Sequence, residues 1–324
     1  MNRQSASEDS AISVIVPCYN EEAVILETHR RLTAVLAGLP DLDYEIIYVN
    51  DGSRDRTAEI LRDLQTADTH IRIVLLARNF GHQMAVTAGL EHAQGAAIVI
   101  IDADLQDPPE VIPEMLARWR EGYDVVYGVR TDRAGETRFK LFTANLFYRL
   151  INGLSNIEMP LDVGDFRLID RKVLAALNQM PERDRFLRGM VSWVGFRQSG
   201  VFYSRAARFA GETKYPLLKM VRFAADAVLS FSFTPLRLAI YMGFVALLAA
   251  FGGIIYAVYK YYEDDVVRGW ASTFVALLLM SGVQLITIGI IGEYIGRIYG
   301  EVKKRPLYLV QERLGFTDKD EKKI

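Results

Sequence analysis

The sequence has one cysteine, Cys18, in 324 residues. An internal disulfide and a multi-cysteine zinc or iron–sulfur site are therefore excluded. The four histidines show no metal-ligand spacing. We interpret His82 and His92, which share one predicted helix, as surface or core residues rather than ligands. Residues 1–10 are polar, so we expect a disordered tail there and no cleavable secretory signal.

The sequence also lacks a glycine-rich phosphate loop. Neither G-x-x-x-x-G-K-[ST] nor G-x-G-x-x-G occurs, which disfavours kinase, P-loop and dinucleotide-binding functions. The formal net charge of −2 disfavours bulk nucleic-acid binding, so we expect no nucleic-acid partner. Charged residues make up an ordinary 24% while hydrophobic residues make up 51%, so the apolar residues must be unevenly placed.

Two apolar stretches are long enough to cross a bilayer. Residues 238–259 and 271–292 are each 22 residues long and contain no Asp, Glu, Lys or Arg. A helix of that length spans ~30 Å of hydrocarbon. The alternative is a pair of buried core helices, which two such stretches in succession disfavour. We therefore predict two transmembrane helices.

The charges around these stretches predict their orientation. The connecting loop carries Glu263, Asp264 and Asp265 against Lys260 and Arg268. The positive-inside rule therefore places both termini, including the tail formed by residues 297–324, in the cytoplasm. Glycines in both spans permit close helix approach, which leaves a homo-oligomer open without specifying one. The basic residues on the outer flanks are Arg205, Arg208, Lys214, Lys219, Arg222, Arg237, Arg297, Lys303, Lys304 and Arg305.

Short β-branched runs alternate with amphipathic stretches between residues 11 and 203. This alternation predicts an α/β fold with a mostly parallel sheet and helices on both faces. The predicted strands are 12–16, 44–49, 71–76, 97–101, 123–127 and 166–169. The predicted helices are 21–36, 55–65, 82–93, 109–121, 137–152 and 171–177.

Polar residues follow three predicted strands, at the edge where open α/β sheets bind ligands. The first strand leads into PCYNEE (17–22), the second into NDGS (50–53) and the fourth into DADLQD (102–107). Structural alternatives exist, since Asn20 or Asp55 can cap a helix and Asp51-Gly52 is a turn signal. Asp102 and Asp104 can both reach one hard cation, and Mg²⁺ suits such a sparse site because substrate phosphates complete it.

Together these strings resemble the family-2 glycosyltransferases, which are nucleotide-sugar enzymes of the GT-A fold. Within that family the chain looks most similar to the polyprenyl-phosphate glycosyltransferases, namely dolichol-phosphate mannose synthase and, more closely, the bacterial bactoprenol glucosyltransferases. The resemblance covers essentially the whole chain and implies a Rossmann-like GT-A domain over residues 11–214. It also implies a multi-pass enzyme of the bacterial inner (plasma) membrane. The matching strings are VPCYNEE (16–22), VNDGS (49–53), DADLQDPPE (102–110), GDFRL (164–168), RFAGETK (208–214) and RPLY (305–308).

The resemblance implies roles for individual residues. The residues that would surround the nucleoside are Pro17, Tyr19, Glu21, Val49 and Asp51. Those that would hold Mg²⁺ or Mn²⁺ and the diphosphate are Asp102, the Ala103 backbone, Asp104 and Gln106, with Asp102 and Asp104 as the metal ligands. Those that would reach the donor and acceptor phosphates are Arg130, Arg208 and Lys214. Asp165 would lie beside the reacting sugar, although it could instead simply pair with Arg167 or Arg171.

The segment before the first span supports a lipid acceptor. Apolar residues recur near helical spacing over residues 215–233, and residues 205–237 carry six basic and two acidic side chains. A basic amphipathic helix over residues 215–236 would suit the membrane interface and an anionic lipid headgroup. An ordinary packing helix with a solvated basic face is the alternative.

The implied reaction is inverting transfer of a sugar from a UDP-sugar to polyprenyl phosphate. A divalent cation with Arg and Lys suits a nucleoside diphosphate leaving group, and the acceptor phosphate is already anionic at pH 7. Glucose is the expected sugar, while a UDP-4-amino-4-deoxy-arabinose derivative, UDP-GlcNAc and GDP-mannose stay open. The missing Q-x-x-R-W string disfavours a processive polysaccharide synthase. The retained metal-binding and catalytic residues Asp102, Asp104, Arg208 and Lys214 disfavour a non-catalytic membrane scaffold.

Overall fold

A computed structural model of the chain describes residues 11–39, 42–131, 163–204, 234–262 and 269–316. The chain divides into two compact units. The first unit takes in the described residues up to 204 together with residues 305–316. The second unit contains residues 234–262 and 269–304.

The first unit is built on one sheet, to which eight strands contribute in the described part of the chain. The strands are β1 Ala11–Cys18, β2 Asp43–Asn50, β3 Ile71–Leu76, β4 Ala97–Ile100, β5 Val125–Arg130, β6 Val163–Asp170, β7 Gln198–Tyr203 and β8 Val310–Leu314. Their order across the sheet is β7-β5-β6-β4-β1-β2-β3-β8.

The sheet is mixed. Strands β1, β2, β3 and β4 run parallel in the centre, and β5 runs parallel to β7. Strand β6 lies antiparallel between β4 and β5, and β8 is antiparallel to β3. The predicted α/β class and all six predicted strands are confirmed, whereas β7 and β8 were not predicted.

The central strands are buried because helices cover both faces of the sheet. In β1, both Val14 and its neighbour Ile15 are fully buried although their side chains point to opposite faces. This explains why the strands read as continuous β-branched runs rather than as alternating patterns. The helices of this unit are α1 Ile25–Ala37, α2 Thr57–Ala67, α3 His82–His92, α4 Ile112–Arg120, α5 Arg171–Asn178 and α6 Leu187–Trp193.

Five of the six predicted helices are confirmed, with differences at their ends. Helix α1 begins at Ile25 rather than at residue 21, because Asn20 takes a positive φ of 57° and the chain turns before the helix starts. A 3₁₀ turn, Pro109–Val111, precedes α4. Helix α6 was not predicted. The predicted helix 137–152 lies outside the described residues, as does the predicted tail 1–10.

Helix α3 packs unusually close to the sheet through a glycine. A Cβ atom added to Gly89 would lie 2.3 Å from Ile15 Cγ2 and 3.2 Å from Val49 Cγ2. Any larger residue would push the helix away from β1 and β2. The depth at which α3 sits therefore sets the position of its first residue, His82, at the carboxyl edge of the sheet.

The second unit consists of two long helices, α7 Thr234–Tyr262 and α8 Trp270–Val302, which are in contact with each other. Both contain stretches long and apolar enough to be candidate membrane spans. Large apolar side chains on them are exposed, for example Phe244 at 62% and Leu285 at 70%. Both helices are longer than the predicted spans, and α8 continues for ten residues past residue 292.

The segment after α8 returns to the first unit. There β8 extends the sheet beyond β3, and the Leu309 carbonyl accepts a hydrogen bond from the Ala77 amide at 2.9 Å. Arg62 of α2 forms an ion pair with Glu312 at 2.6 Å. Residues 310–314, which we had assigned only to a tail, thus contribute an edge strand. The charged sequence VQERL gave no sign of a strand.

Gly89→Ala should destabilise the first unit, because the new Cβ overlaps Ile15 Cγ2. Overpacking of this kind costs about 1–3 kcal/mol, more than the helix-propensity gain of ~1 kcal/mol from replacing glycine. The measurement is the Tm of the detergent-solubilised chain.

Two backgrounds test the cause. Ile15→Ala removes the clashing methyl group, so in that background Gly89→Ala should become neutral or stabilising. Ile15→Val keeps Cγ2 and should give no relief. Equal costs in all three backgrounds would contradict the close contact.

Candidate active site

The loops after β1 and β2 are joined by side-chain hydrogen bonds. The backbone amide of Asn20 donates to Ser53 Oγ at 2.9 Å, and the side-chain Oδ1 of Asn20 accepts from the backbone amide of Arg54 at 2.8 Å. The Glu21 amide donates to Thr57 Oγ1 at 2.9 Å. The two polar strings therefore form one connected surface at the carboxyl edge of the sheet.

The predicted nucleoside residues lie on this surface. Pro17 and Val49 are register partners in β1 and β2, and both are buried beneath it. Glu21 is half-buried and Tyr19 is 41% exposed. Tyr19 therefore offers an exposed aromatic ring at this edge.

Asp51 holds a third loop against this surface. Its Oδ1 accepts from the Phe80 amide at 2.7 Å and its Oδ2 accepts from the Gly81 amide at 2.9 Å. Burial raises the pKa of Asp51, and the two amide hydrogen bonds oppose that rise. The carboxylate therefore fixes the segment between β3 and α3, which the sequence analysis had not connected with the site.

The acidic string after β4 is held by backbone contacts. The Ala103 carbonyl accepts from Thr28 Oγ1 at 2.7 Å, and Asp104 Oδ1 accepts from the backbone amide of the half-buried Gln106 at 3.1 Å. Leu105 adopts a positive φ of 60° and is buried. The loop is therefore tightly turned, with Asp102 and Asp104 at its start.

Asp102 carries a carboxylate oxygen that accepts no hydrogen bond from any residue that the structure describes. Its Oδ1 atom is buried and has no hydrogen-bond partner among the described residues. Removal from water raises the pKa of Asp102 to about 6; the nearby carboxylates of Asp165, Asp107 and Asp104 add to the rise and His82 opposes it. A divalent cation would neutralise this charge directly.

Asp165 lies beside Asp102, and His82 lies between the two. The His82 Nε2 atom is 3.3 Å from Asp165 Oδ2 and 3.6 Å from Asp102 Oδ1. Burial alone would lower the pKa of His82, but the hydrogen bond to Asp165 and the charges of both carboxylates raise it to about 9. His82 is exposed, as a surface residue should be, but α3 also brings it to the carboxyl edge beside two of the site carboxylates.

Asp165 is also bound by an arginine from α6. Arg188 Nε donates to Asp165 Oδ1 at 2.8 Å, and Arg188 Nη2 donates to Oδ2 at 3.3 Å. Burial would raise the pKa of Asp165, but Arg188 and His82 hold it well below its usual range. Arg167 approaches only to 4.0 Å, and Arg171 donates to backbone carbonyls instead. Of the two arginines in the structural alternative, Arg167 thus forms a long ion pair with Asp165, and Arg171 binds elsewhere.

Arg130 lies beside the same acidic loop. Its Nη2 is 3.8 Å from Asp107 Oδ1, and its Nε donates to the Tyr203 hydroxyl at 3.4 Å. The Tyr203 hydroxyl in turn donates to Asp107 at 2.5 Å. A Cβ atom at position 164 would lie 2.4 Å from Arg130 Nη2, so a larger residue there would displace this guanidinium.

The structure thus brings together Asp102, Asp104, Arg130 and Asp165 from three parts of the chain. Arg208, Lys214 and residues 215–233 lie outside the described residues. Sequence reasoning missed His82, Arg188 and Tyr203. For His82 a signal existed, because residues 77–82 follow a predicted strand at the same edge, whereas Arg188 and Tyr203 lie in elements that were not predicted.

The oxygen donors suit a divalent cation whose coordination is completed by oxygens of a bound substrate. In the described part of the chain, no group of three or more His, Cys, Asp or Glu side chains is arranged to enclose a metal ion. Two carboxylates from Asp102 and Asp104, with one buried oxygen lacking a partner, instead form an open site. Mg²⁺ and Mn²⁺ suit such sites when phosphate oxygens supply further ligands.

Comparison with known proteins identifies similar chains for both units. Residues 13–177 match the sequence profile described as glycosyl transferase family 2, and residues 234–298 match that of the GtrB C-terminal hairpin. An uncharacterized glycosyltransferase of Bacillus subtilis, YkcC, is 52% identical over 308 residues, covering 95% of each chain. A prophage bactoprenol glucosyl transferase homolog of Escherichia coli is 42% identical, covering 93% of this chain and 98% of the relative. A prophage-derived bactoprenol glucosyl transferase of Shigella flexneri is 41% identical, covering 93% and 97%.

Asp102→Asn should stabilise the metal-free protein above pH 6. The pKa of Asp102 is about 6 in the folded chain and near 4 when unfolded, so its charged form destabilises the fold at high pH. We expect a gain of about 1–2 kcal/mol at pH 8 that disappears below pH 4, where the carboxyl is neutral in both states. The measurement is thermal unfolding in chelator across this pH range.

The matched control is Asp63→Asn on the exposed face of α2, which should change stability by less than ~0.5 kcal/mol. Added Mn²⁺ with UDP should raise the Tm of the wild type but not that of Asp102→Asn. A metal-free Asp102→Asn variant that is less stable than wild type at pH 8 would show that Asp102 is already compensated.

Proposed function

Because the chain belongs to glycosyl transferase family 2 and carries the GtrB C-terminal hairpin, we propose that it transfers glucose from UDP-glucose to polyprenyl phosphate. The observation that carries this proposal is 41–42% identity to proteins named as bactoprenol glucosyl transferases or their homologs, over 93% of this chain. That similarity extends over both the sheet unit and the helical hairpin. The chain is a glycosyltransferase, and the identity of its sugar is the proposed part.

The acidic edge suits binding of a nucleoside diphosphate. Asp102 and Asp104, with Gln106 and the Ala103 backbone, would hold Mg²⁺ or Mn²⁺ against the two phosphates. The cation would supply positive charge where the leaving diphosphate gains negative charge. Pro17, Tyr19, Glu21, Val49 and Asp51 would form the nucleoside side of the pocket.

The basic residues serve the phosphates. Arg130 is held at the acidic loop by Asp107 and Tyr203, and the guanidinium is suited to the donor phosphates. We assign Arg208 and Lys214 to the donor and acceptor phosphates, on the family pattern alone. The 11–214 region would then be the catalytic domain and residues 215–236 the interfacial segment.

Asp165 suits an orienting role better than a role as a base. Its pKa is held well below the usual range by Arg188 and His82, so it is a poor proton acceptor at pH 7. The acceptor phosphate hardly needs a base, since its second pKa is near 6. Asp165 would therefore align the reacting groups for in-line displacement with inversion at the anomeric carbon.

A donor panel tests the proposed function. The purified full chain is incubated with undecaprenyl phosphate and, separately, UDP-glucose, UDP-GlcNAc, GDP-mannose and a UDP-4-amino-4-deoxy-arabinose derivative. We expect a lipid product carrying one hexose with UDP-glucose, detected by mass spectrometry, and its loss in excess chelator. Asp102→Asn and Asp104→Asn should each lower the rate by roughly 10²-fold or more, because each removes a carboxylate that holds the cation.

Each alternative has its own outcome in this panel. A product only with another donor would replace glucose while keeping the reaction. A product with several hexoses would favour a processive synthase. No lipid product with any donor would contradict the proposed function, and full activity in chelator would contradict the role of the cation.

Cysteine labelling tests the proposed orientation, in which α7 and α8 cross the inner membrane and both termini are cytoplasmic. In a Cys18→Ser background, Asp264→Cys should react with an impermeant maleimide added to intact cells. Lys319→Cys should react only after permeabilisation, because the positive-inside rule places it in the cytoplasm. The opposite labelling pattern would overturn this orientation.

A further inference from the structure

We propose that His82 is a positioning residue, which ties Asp165 to the cation-binding carboxylate Asp102 and, with Arg188, fixes the direction in which Asp165 faces. The inference rests on the proposed function, because it assigns His82 a part in the alignment of that reaction. It is based on the contacts of His82 with both carboxylates, which are additional to the roles assigned above to Asp102 and Asp165.

The backbone of His82 is held from two sides. Gly89, two turns further along α3, sets the helix tightly against Ile15 and Val49. The residues immediately before His82 donate two backbone hydrogen bonds to Asp51, at 2.7 and 2.9 Å. His82 is therefore presented at a fixed point above the sheet rather than on a free loop.

The imidazole bridges carboxylates from two neighbouring strands. Asp102 directly follows β4 and Asp165 lies in β6, and these strands are antiparallel neighbours with Ile100 opposite Arg167. The His82 Nε2 atom is within 3.6 Å of an oxygen from each carboxylate. One side chain from a helix thus links the cation side of the site to the acceptor side.

Arg188 completes the restraint on Asp165. It binds both carboxylate oxygens from α6, while His82 approaches Oδ2 from α3. The two helices are themselves joined, because Gln83 Oε1 accepts from the Leu187 amide at 3.1 Å. Neighbouring residues of α3 and α6 therefore hold each other and hold Asp165 between them.

This restraint affects alignment rather than binding of the donor. An in-line displacement requires reacting atoms to be placed within a fraction of an ångström, and a misplacement of about 1 Å can cost 10²-fold in rate. Loss of His82 should therefore lower kcat. It should leave the affinity for UDP-glucose nearly unchanged, because in the proposed pocket the nucleoside is bound by other residues.

A double-mutant cycle tests the proposal in the full chain. We expect His82→Leu to lower kcat by about 10²-fold, with KM for UDP-glucose within about threefold of wild type. His82→Gln should recover most of the rate, since its amide N–H can still donate to Asp165. In an Asp165→Asn background, His82→Leu should cost less than about threefold, because the group through which His82 acts is already lost.

The control is His70→Leu, which removes an exposed histidine that contacts Asp68 and Tyr44 and should leave kcat unchanged. Tm values identify any variant that loses its fold, and if His82→Leu does so, the spectroscopic measurement below tests the contact instead. Additive losses in the double mutant, or a His82→Leu variant as active as wild type, would overturn the proposal.

A spectroscopic measurement tests the contact without turnover. In the chain labelled with ¹⁵N-histidine, the His82 imidazole N–H signal is assigned by its absence in His82→Gln. It should shift in Asp165→Asn, and an unchanged signal would overturn the proposal. If the wild type transfers no sugar in the donor panel, the proposed function fails, whereas this measurement still decides whether His82 is bonded to Asp165.

Discussion

The accumulation of carboxylates at one edge of the sheet is the constraint on which the rest of the site depends. Asp102, Asp104, Asp107 and Asp165 are close enough that the other three all raise the pKa of Asp102. Such a cluster destabilises a folded chain unless each charge is compensated. Asp165 is compensated by Arg188 and His82, and Asp107 is bound by Tyr203 beside Arg130. Asp102 keeps a buried oxygen that accepts no hydrogen bond from a described residue and faces His82 at 3.6 Å, which makes it the natural place for a cation.

The scaffold explains how these charges stay in place. The carboxylates come from β6 and from the loop after β4, and the compensating cations come from α3, α6 and β5. Close packing at Gly89 sets the depth of α3, and Gly164 leaves room for the Arg130 guanidinium. Leu309, which precedes β8, accepts a hydrogen bond from Ala77, just before the segment that Asp51 holds. The fold therefore fixes both the acidic groups and their partners through backbone geometry.

Much of this arrangement could be predicted from the sequence. The β-branched runs located six strands, and the positions of Asp102 and Asp104 at a strand end indicated where a ligand would bind, because parallel strands share one carboxyl edge. Long uncharged stretches located α7 and α8, because a helix of that length can span a bilayer. The residues and strands that pair with these elements were harder to predict. Arg188 lies in a seven-residue helix and β8 reads as a charged segment, so neither has a local pattern that distinguishes it from a loop. The place of His82 beside these carboxylates was not predicted, because it depends on how deeply α3 packs, which only the tertiary structure reveals.

The central claim is that Asp102 and Asp104 hold a divalent cation when a nucleoside diphosphate binds. Electron paramagnetic resonance of Mn²⁺, titrated into the purified chain in the presence of UDP, measures this directly. The account predicts that the wild type and Asp63→Asn bind a single Mn²⁺ whose affinity is strengthened by UDP, and that Asp102→Asn and Asp104→Asn lose it. Undiminished Mn²⁺ binding in either of these two variants, or binding that is indifferent to UDP, would contradict the account.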